Sequence, residues 1–413
     1  MNRRQFLLSL SVLGLSSLAY SGYKFWPDAG IFNPCLTGLP DNLKGHPLMQ
    51  KIWGGIDPNQ VWDSHVHIVG VGDSGSDIWF NPNMDSKLHP VLKVQKIFYE
   101  NGACADSKNI DHSTVNRMRS LSKEMPIGYK SMLFAFDWFH NENGTPIKEN
   151  SIFYIPNDYV AKVASKHSQY FEWVASIHPY REDAVDALEQ AKAQGARAIK
   201  WLPPGMGIDP ASSKCDTFYK KAADLNMPII THTGRESAVQ GGNQNHANPL
   251  RLRRALDQGV RVILAHCASY GNDEDLDNGN KRIKSLELFA RLMDTPDYST
   301  LAFGDISAIT LINHAWAIKA ILERTDWHQR LLNGSDYPLP AIMPLINTKQ
   351  LNNMGLLDSE HLQFLQKLKQ YNPLMFDFAV KRLMQFNGVV FDKSVFETRK
   401  FFDQTTSKME SII

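Results

Sequence analysis

Two histidines one residue apart, His65 and His67 in the run VWDSHVHIVG, are the most informative residues of this 413-residue chain. A β-strand repeats its side-chain direction every second residue, so both imidazoles leave one face of a strand here. Side by side and neutral, they make half of a metal site. Asp63 shares their parity and is placed to hold an imidazole N–H, which would fix the tautomer that offers the other nitrogen to a metal. Such a pair alone is more often structural or surface filler, so its meaning depends on what meets it. Three further residues close apolar runs: His232 in PIITHTG, His266 in RVILAHCAS and Asp336 in LLNGSDYP. Singly, His232 and His266 read equally well as hydrogen-bonded core histidines, and Asp336 as a turn or helix-capping carboxylate. Together, five such residues at the ends of four strands read as a ligand set. Imidazole and carboxylate donors without a thiolate favour Zn2+, with Mn2+ and Fe2+ as alternatives.

The elements that must position them recur along the chain. Eight short runs dense in Val, Ile, Leu, Phe and Trp read as strands, at 61–70, 127–137, 171–180, 196–204, 228–234, 261–269, 301–309 and 331–338. Helix-period stretches separate many of them, as in REDAVDALEQAKAQG and NPLRLRRALDQG, which Gly195 and Gly259 stop. The expected fold is α/β: an eight-stranded (β/α)8 barrel of the TIM type over residues 61–340, close to the ~250 residues typical of such barrels. A doubly wound sheet is the rival, but it gives no reason for polar residues to gather at the C-terminal ends of eight strands. In a barrel those ends share one mouth. Residues 23–60, rich in Gly, Pro, Asn and Asp, read as a loop-rich lead-in, and 341–413 as C-terminal helices that complete the barrel.

Composition narrows the function classes. At 43% hydrophobic and 21% charged the chain is globular, not disordered. Lys and Arg total 44 against 43 Asp and Glu, so no positive field is present to hold nucleic acid. Cys35, Cys104, Cys215 and Cys267 show no C-x-x-C spacing, which suggests neither a disulfide scaffold nor a thiolate zinc site and leaves an isolated disulfide open. At the N-terminus, Arg3 and Arg4 precede a serine-rich apolar run from Phe6 to Tyr20, a pattern that resembles a twin-arginine export signal over residues 1–22. The run is shorter than the ~20 residues of a spanning helix. The expected location is the periplasm, or its membrane face if the segment stays uncleaved as an anchor. An amphipathic terminal helix is the bland alternative.

In order and spacing from Val61 to Leu339, D-S-H-V-H, T-H-T-G, A-H-C and G-S-D-Y-P resemble the amidohydrolase superfamily, especially its amidohydrolase-related branch. The resemblance implies a metal-dependent barrel enzyme, either a hydrolase or a non-oxidative decarboxylase. It implies that His65, His67, His232 and Asp336 hold one divalent metal, and that His266 either polarises the water or carbonyl or ligates a second metal. A bound metal lowers the pKa of water from about 15.7 toward ~7. Asp336 would then accept the water proton and pass it to the leaving group, while His266, cationic or metal-bound, steadies the oxyanion. The expected reaction is hydrolysis of an amide, ester or lactone bond in a small molecule. The alternative is decarboxylation of a small aromatic or unsaturated acid, with the same metal holding the substrate. A barrel that only binds is the third reading, and five polar groups buried at a mouth without metal or water argue against it.

Other residues take expected places around this centre. Lys200 ends the fourth run, either carboxylated as a bridge between two metals or, at a mononuclear site, as a substrate contact or ion-pair partner. Arg235, His178 and Trp201 are candidates for substrate contact, against the bland readings of a loop arginine, a structural histidine and a packing aromatic. Trp138 and Tyr337 are further candidate pocket walls, and Lys130 a barrel-interior cation paired to an acid. The long segment 73–111 is expected to be a loop lid that sets specificity. Substrate, metal identity and assembly into a homo-oligomer stay open at this point.

Overall fold

The apolar runs become eight strands, each shorter than its run: β1 Trp62–His67, β2 Lys130–Phe134, β3 Phe171–Val174, β4 Ile199–Trp201, β5 Ile229–Thr231, β6 Val262–Leu264, β7 Ala302–Asp305 and β8 Leu331–Leu332. The computed structural model describes residues 30–236 and 242–403, so the expected export signal lies outside the described residues. The eight strands form two parallel sheets, β1-β2-β3 and β8-β7-β6-β5-β4. Single parallel bridges, Ala175 to Ile199 and Val66 to Tyr337, join the sheet edges. Residues of interest make these seams: Lys200 N donates to Ala175 O at 2.7 Å, His67 N to Tyr337 O at 2.8 Å and Asp336 N to His65 O at 2.8 Å. Gly334 permits the second seam, because a Cβ there would lie 2.5 Å from the Cβ of His65.

Alternation along the strands sorts the core into two clusters. Ile230 and Ile263 enter an inner cluster, whereas their neighbours Ile229, Val262 and Leu264 pack in the outer one. The inner cluster takes a residue from every strand region: Trp62, Met132, Val174, Ala198, Ile230, Ile263, Phe303 and Leu332, with Phe402 from the C-terminal segment. The chain also forms helices α1 Pro90–Gly102, α2 Ile110–Glu124, α3 Asn157–Lys166, α4 Ala184–Ala193, α5 Asp216–Asp224, α6 Arg253–Asp257, α7 Ser285–Met293, α8 Ile318–Glu323, α9 Leu362–Tyr371 and α10 Pro373–Leu383. Each contributes apolar residues to the outer cluster, as in the amphipathic α7 with Leu288, Phe289 and Leu292. Among the described residues no helix is long and apolar enough to cross a membrane.

Two segments differ from expectation. The lead-in packs as well as links: Leu39, Leu43, Ile52 and Ile56 are buried in the outer core, and Trp53 stacks on Phe378 of α10 at 4.3 Å. The segment 73–111 is more than a loop, because it holds α1, opened by Pro90 in the first helical turn, where a missing N–H costs nothing. It also holds Trp79–Phe80, paired antiparallel with Phe153–Tyr154.

A disulfide between Cys35 and Cys104, with Cα atoms 5.7 Å apart, ties the lead-in to the residues after α1 across a separation of 69. Cys215 and Cys267 are free and buried. Closing so long a loop restricts the unfolded chain, so Cys35→Ser is expected to lower stability by about 2–4 kcal/mol. Denaturant unfolding under non-reducing conditions reads this, and an unchanged midpoint contradicts it.

Candidate active site

Lys200, His232 and Asp305 each stand two residues beyond a member of the inner cluster, namely Ala198, Ile230 and Phe303. Strand parity therefore aims them to the same side as that cluster, one layer nearer the C-terminal ends. On β1 the pairing register shifts between Asp63 and Val66. A shift exchanges the two faces, so His65 turns inward even though it lies an odd number of residues from Trp62. The same shift corrects the expectation for Asp63. Its carboxylate accepts from the backbone of His65 and Ser335 and from the Tyr129 hydroxyl, and it holds no imidazole.

Asp305 does that work instead. His65 Nδ1 donates to Asp305 Oδ2 at 2.9 Å, and Asp305 Oδ1 accepts from His266 N at 2.6 Å and from the backbone and hydroxyl of Ser307. His65 thus carries its hydrogen on Nδ1 and turns the Nε2 lone pair toward the cavity. In the sequence Asp305 lies in the middle of the seventh run, two residues after Phe303 and with no histidine beside it, so run ends do not mark it.

A cavity of about 400 Å³ lies over this layer, and His65, His67, Lys200, His232, His266 and Asp336 all line it. Asp336 Oδ1 lies 3.5 Å from His65 Nε2 and 3.3 Å from His67 Nε2, and these three residues offer ligand atoms all within 4.8 Å of one another. Lys200 Nζ sits 2.9 Å from the same His65 Nε2 and over the Phe134 ring. His232 Nδ1 is 3.2 Å from Glu236 Oε2 and 3.1 Å from His266 Nε2. A carboxylate beside Nδ1 calls for a hydrogen there, which leaves His232 Nε2 as a lone pair. That atom is buried without a hydrogen-bond partner among the described residues, as is His266 Nδ1. Asp336, His266 and Ala308 all hold positive φ, an uncommon conformation for residues with a Cβ and one that sequence does not reveal.

Electrostatics set the protonation states. Burial pulls His67 down to about 4 and lowers His232 and His266, the last helped by His232 and His314 beside it. These imidazoles are neutral near pH 7, the form that ligates, so His266 is not a resident cation. Burial also brings the Lys200 ammonium down to about 8, against the pull of Asp336, Asp305 and Glu236. Burial acts to raise Asp336, but His65, His67 and Lys200 outweigh it and keep the carboxyl well below its usual range.

The donor set fits one divalent cation. Two imidazoles and an ionised carboxylate converge, one imidazole is oriented by a buried aspartate, and the orphaned His232 Nε2 lines the same cavity. Lys200 shares the His65 lone pair, so an ammonium hydrogen bond and a cation at that nitrogen exclude each other.

Of the other expected residues, Arg235 is exposed and lines the cavity. His178 does not reach it: Nε2 donates to Met206 O and Nδ1 accepts from Tyr180 N, which makes it a fully buried structural histidine. Trp201 is corrected likewise, with its indole N–H on Ile177 O and its ring against Phe218 and Tyr219. Outward parity beside Lys200 sends it into the outer core. Trp138 stacks on Tyr154, Tyr337 is buried with its hydroxyl toward Gly102 O, and neither lines the cavity. Lys130 pairs with Glu172 at 2.6 Å. His314, not anticipated, lines the cavity with Nδ1 held by the Ser269 hydroxyl at 2.7 Å.

Residues 128–342 match the family described as Amidohydrolase. The chain belongs to this amidohydrolase family, whose enzymes act on small molecules as hydrolases or decarboxylases and usually bind a metal. No curated protein matches the chain. Similar solved structures include a probable 2-pyrone-4,6-dicarboxylic acid hydrolase from Acinetobacter baumannii, at 13% identity over 83% of this chain and 100% of that one, with a TM-score of 0.43. Others are 5-carboxyvanillate decarboxylase from Sphingomonas paucimobilis, at 10% identity, 78% and 96% coverage and 0.44, and the IDCase of Metarhizium anisopliae, at 11%, 83% and 97%, and 0.47.

Proposed function

We propose that this enzyme is a metal-dependent hydrolase that cleaves an amide, ester or lactone bond of a small molecule, on a closed eight-stranded (β/α)8 barrel whose two arcs are the observed sheets. The observation that carries the reading is the convergence of His65, His67 and Asp336, with His65 held in its ligating tautomer by Asp305. His65, His67, His232 and Asp336 would hold a single divalent ion, Zn2+ before Mn2+ or Fe2+. Once bound, that ion supplies Lewis acidity to a water and to the scissile carbonyl. Asp336 Oδ1, ionised and between two imidazoles, accepts a proton from the attacking water and returns it to the departing amine or alcohol. His266, its Nε2 against the Nδ1–H of His232, carries its own hydrogen on Nδ1 and donates toward the oxygen that gains charge. With an ion on His65 Nε2, Lys200 would pair with Asp336 or with the substrate rather than bridge two metals.

The test is product analysis of the metal-loaded protein on panels of esters, lactones, amides and carboxylic acids, with proton release and CO2 followed together. Acid release without CO2 supports hydrolysis; CO2 release from an aromatic or unsaturated acid overturns it in favour of decarboxylation by the same residues.

We further infer export by the twin-arginine route, with periplasmic residence either free or anchored by residues 1–22. The Cys35–Cys104 disulfide suits an oxidising compartment. Changing Arg3 and Arg4 to Lys is expected to leave the protein in the cytoplasm, as read by cell fractionation. Unaltered distribution contradicts the route.

A further inference from the structure

The cavity over the site is walled mainly by hydrocarbon. Phe80 and Phe98 come from the segment after β1, Phe136 and Phe153 from the segment after β2, and Leu311 and Ile342 from the segments after β7 and β8. Four separate segments thus supply apolar surface to one chamber, while the candidate metal and catalytic groups gather at its base, at the ends of β1, β4, β5, β6 and β8.

The cations on its walls are mostly taken. Lys96 pairs with Asp85 at 2.7 Å and Glu100 at 3.3 Å and lies over the Phe80 ring. Lys200 lies at the base of the chamber, 2.9 Å from His65 Nε2, among the groups that surround the reacting head. Arg235, exposed at the cavity, has no ion pair among the described residues. Glu100, Glu236 and Asp336 line the same cavity, so above the base, where Lys200 sits, a substrate with several carboxylates would meet Arg235 as the one lining cation without an ion pair among the described residues. Apolar surface also continues outward along α1: Val94 both lines the cavity and is half exposed, and its neighbours Val91 and Ile97, three residues away on either side, are exposed too.

We propose that the substrate is an amphiphile: an alkyl or aryl body fills the chamber, and its single reacting head, carrying at most one negative charge, reaches the base. The position of the head rests on the metal-site reading above, whereas the class of the body rests on the cavity wall alone. Val94, Phe98 and Leu345 then select substrates by apolar contact, and Arg235 meets the one anionic group.

Calorimetric binding of hexanoate, octanoate and decanoate to the full-length protein, with citrate as the polyanionic control, tests this. Affinity is expected to rise by about fourfold for each added methylene that is buried, with citrate weaker than decanoate. Val94→Asp and Leu345→Asp, both at partly exposed positions, should weaken decanoate by about tenfold or more without changing metal content. Arg235→Gln should weaken decanoate and leave 1-decanol unchanged. A flat series, citrate tighter than decanoate, or a gradient that neither aspartate variant reduces overturns the proposal. The same series on His65→Ala separates the two readings: a gradient kept without metal supports the cavity inference even where the metal reading fails, and a metal-loaded protein with a flat series overturns the cavity inference alone.

Discussion

Asp336→Asn is expected to lower kcat by about 10²–10⁴-fold while the protein stays folded, because the amide keeps the size of the side chain but cannot accept and return a proton. Asn also suits the backbone: Asp336 holds φ +60, a region Asn enters more readily than most residues, and its N–H bond to His65 O does not involve the side chain. A neutral side chain weakens the metal ligand set as well, so turnover is to be measured at saturating metal, where the residual loss reports proton transfer. Circular dichroism and thermal unfolding check the fold in parallel. Activity within a few-fold of the parent protein removes Asp336 from proton transfer.

Asp305→Asn is expected to cost about 10–100-fold in metal affinity, although Asp305 is no ligand. The carboxylate holds the His65 Nδ1 hydrogen at 2.9 Å, and its other oxygen collects His266 N and both donors of Ser307. An amide cannot accept from all of these without setting its own NH2 against a donor. If the amide nitrogen faces His65, the ring is driven to carry its hydrogen on Nε2, and the ligating lone pair is lost. Stability should fall by about 1–3 kcal/mol for the same reason, since a buried donor is left unmade. Chelator competition measures the affinity, and an unchanged value would show that His65 needs no orienting partner.

Much of this was legible in the sequence because period and position carried it. Strand parity paired His65 with His67, and the ends of apolar runs marked Lys200, His232, His266 and Asp336; all six line the cavity. What stayed hidden depended on departures from the ideal strand. The register shift on β1 exchanged the roles expected of Asp63 and played by Asp305. His178 follows the third strand as plausibly as His232 follows the fifth, yet its ring turns to Met206 O, a contact set by the one-turn helix Pro203–Met206 that no spacing rule reaches. Trp201 sits beside Lys200, and the alternation that sends the lysine inward sends the indole outward. The helix α1 in the segment after β1 was masked by the polar residues around it, and its contribution to the cavity wall is a tertiary fact.

The central claim is that His65, His67 and Asp336 form a working metal centre, and metal content per chain, by plasma mass spectrometry on the full-length protein beside His65→Ala, tests it most directly. About one equivalent of zinc, manganese or iron in the parent protein, lost in the variant, is the expected result. No bound metal, with no shift in thermal unfolding on adding Zn2+ or Mn2+, would contradict it; about two equivalents would instead make Lys200 a bridging ligand and overturn the mononuclear reading.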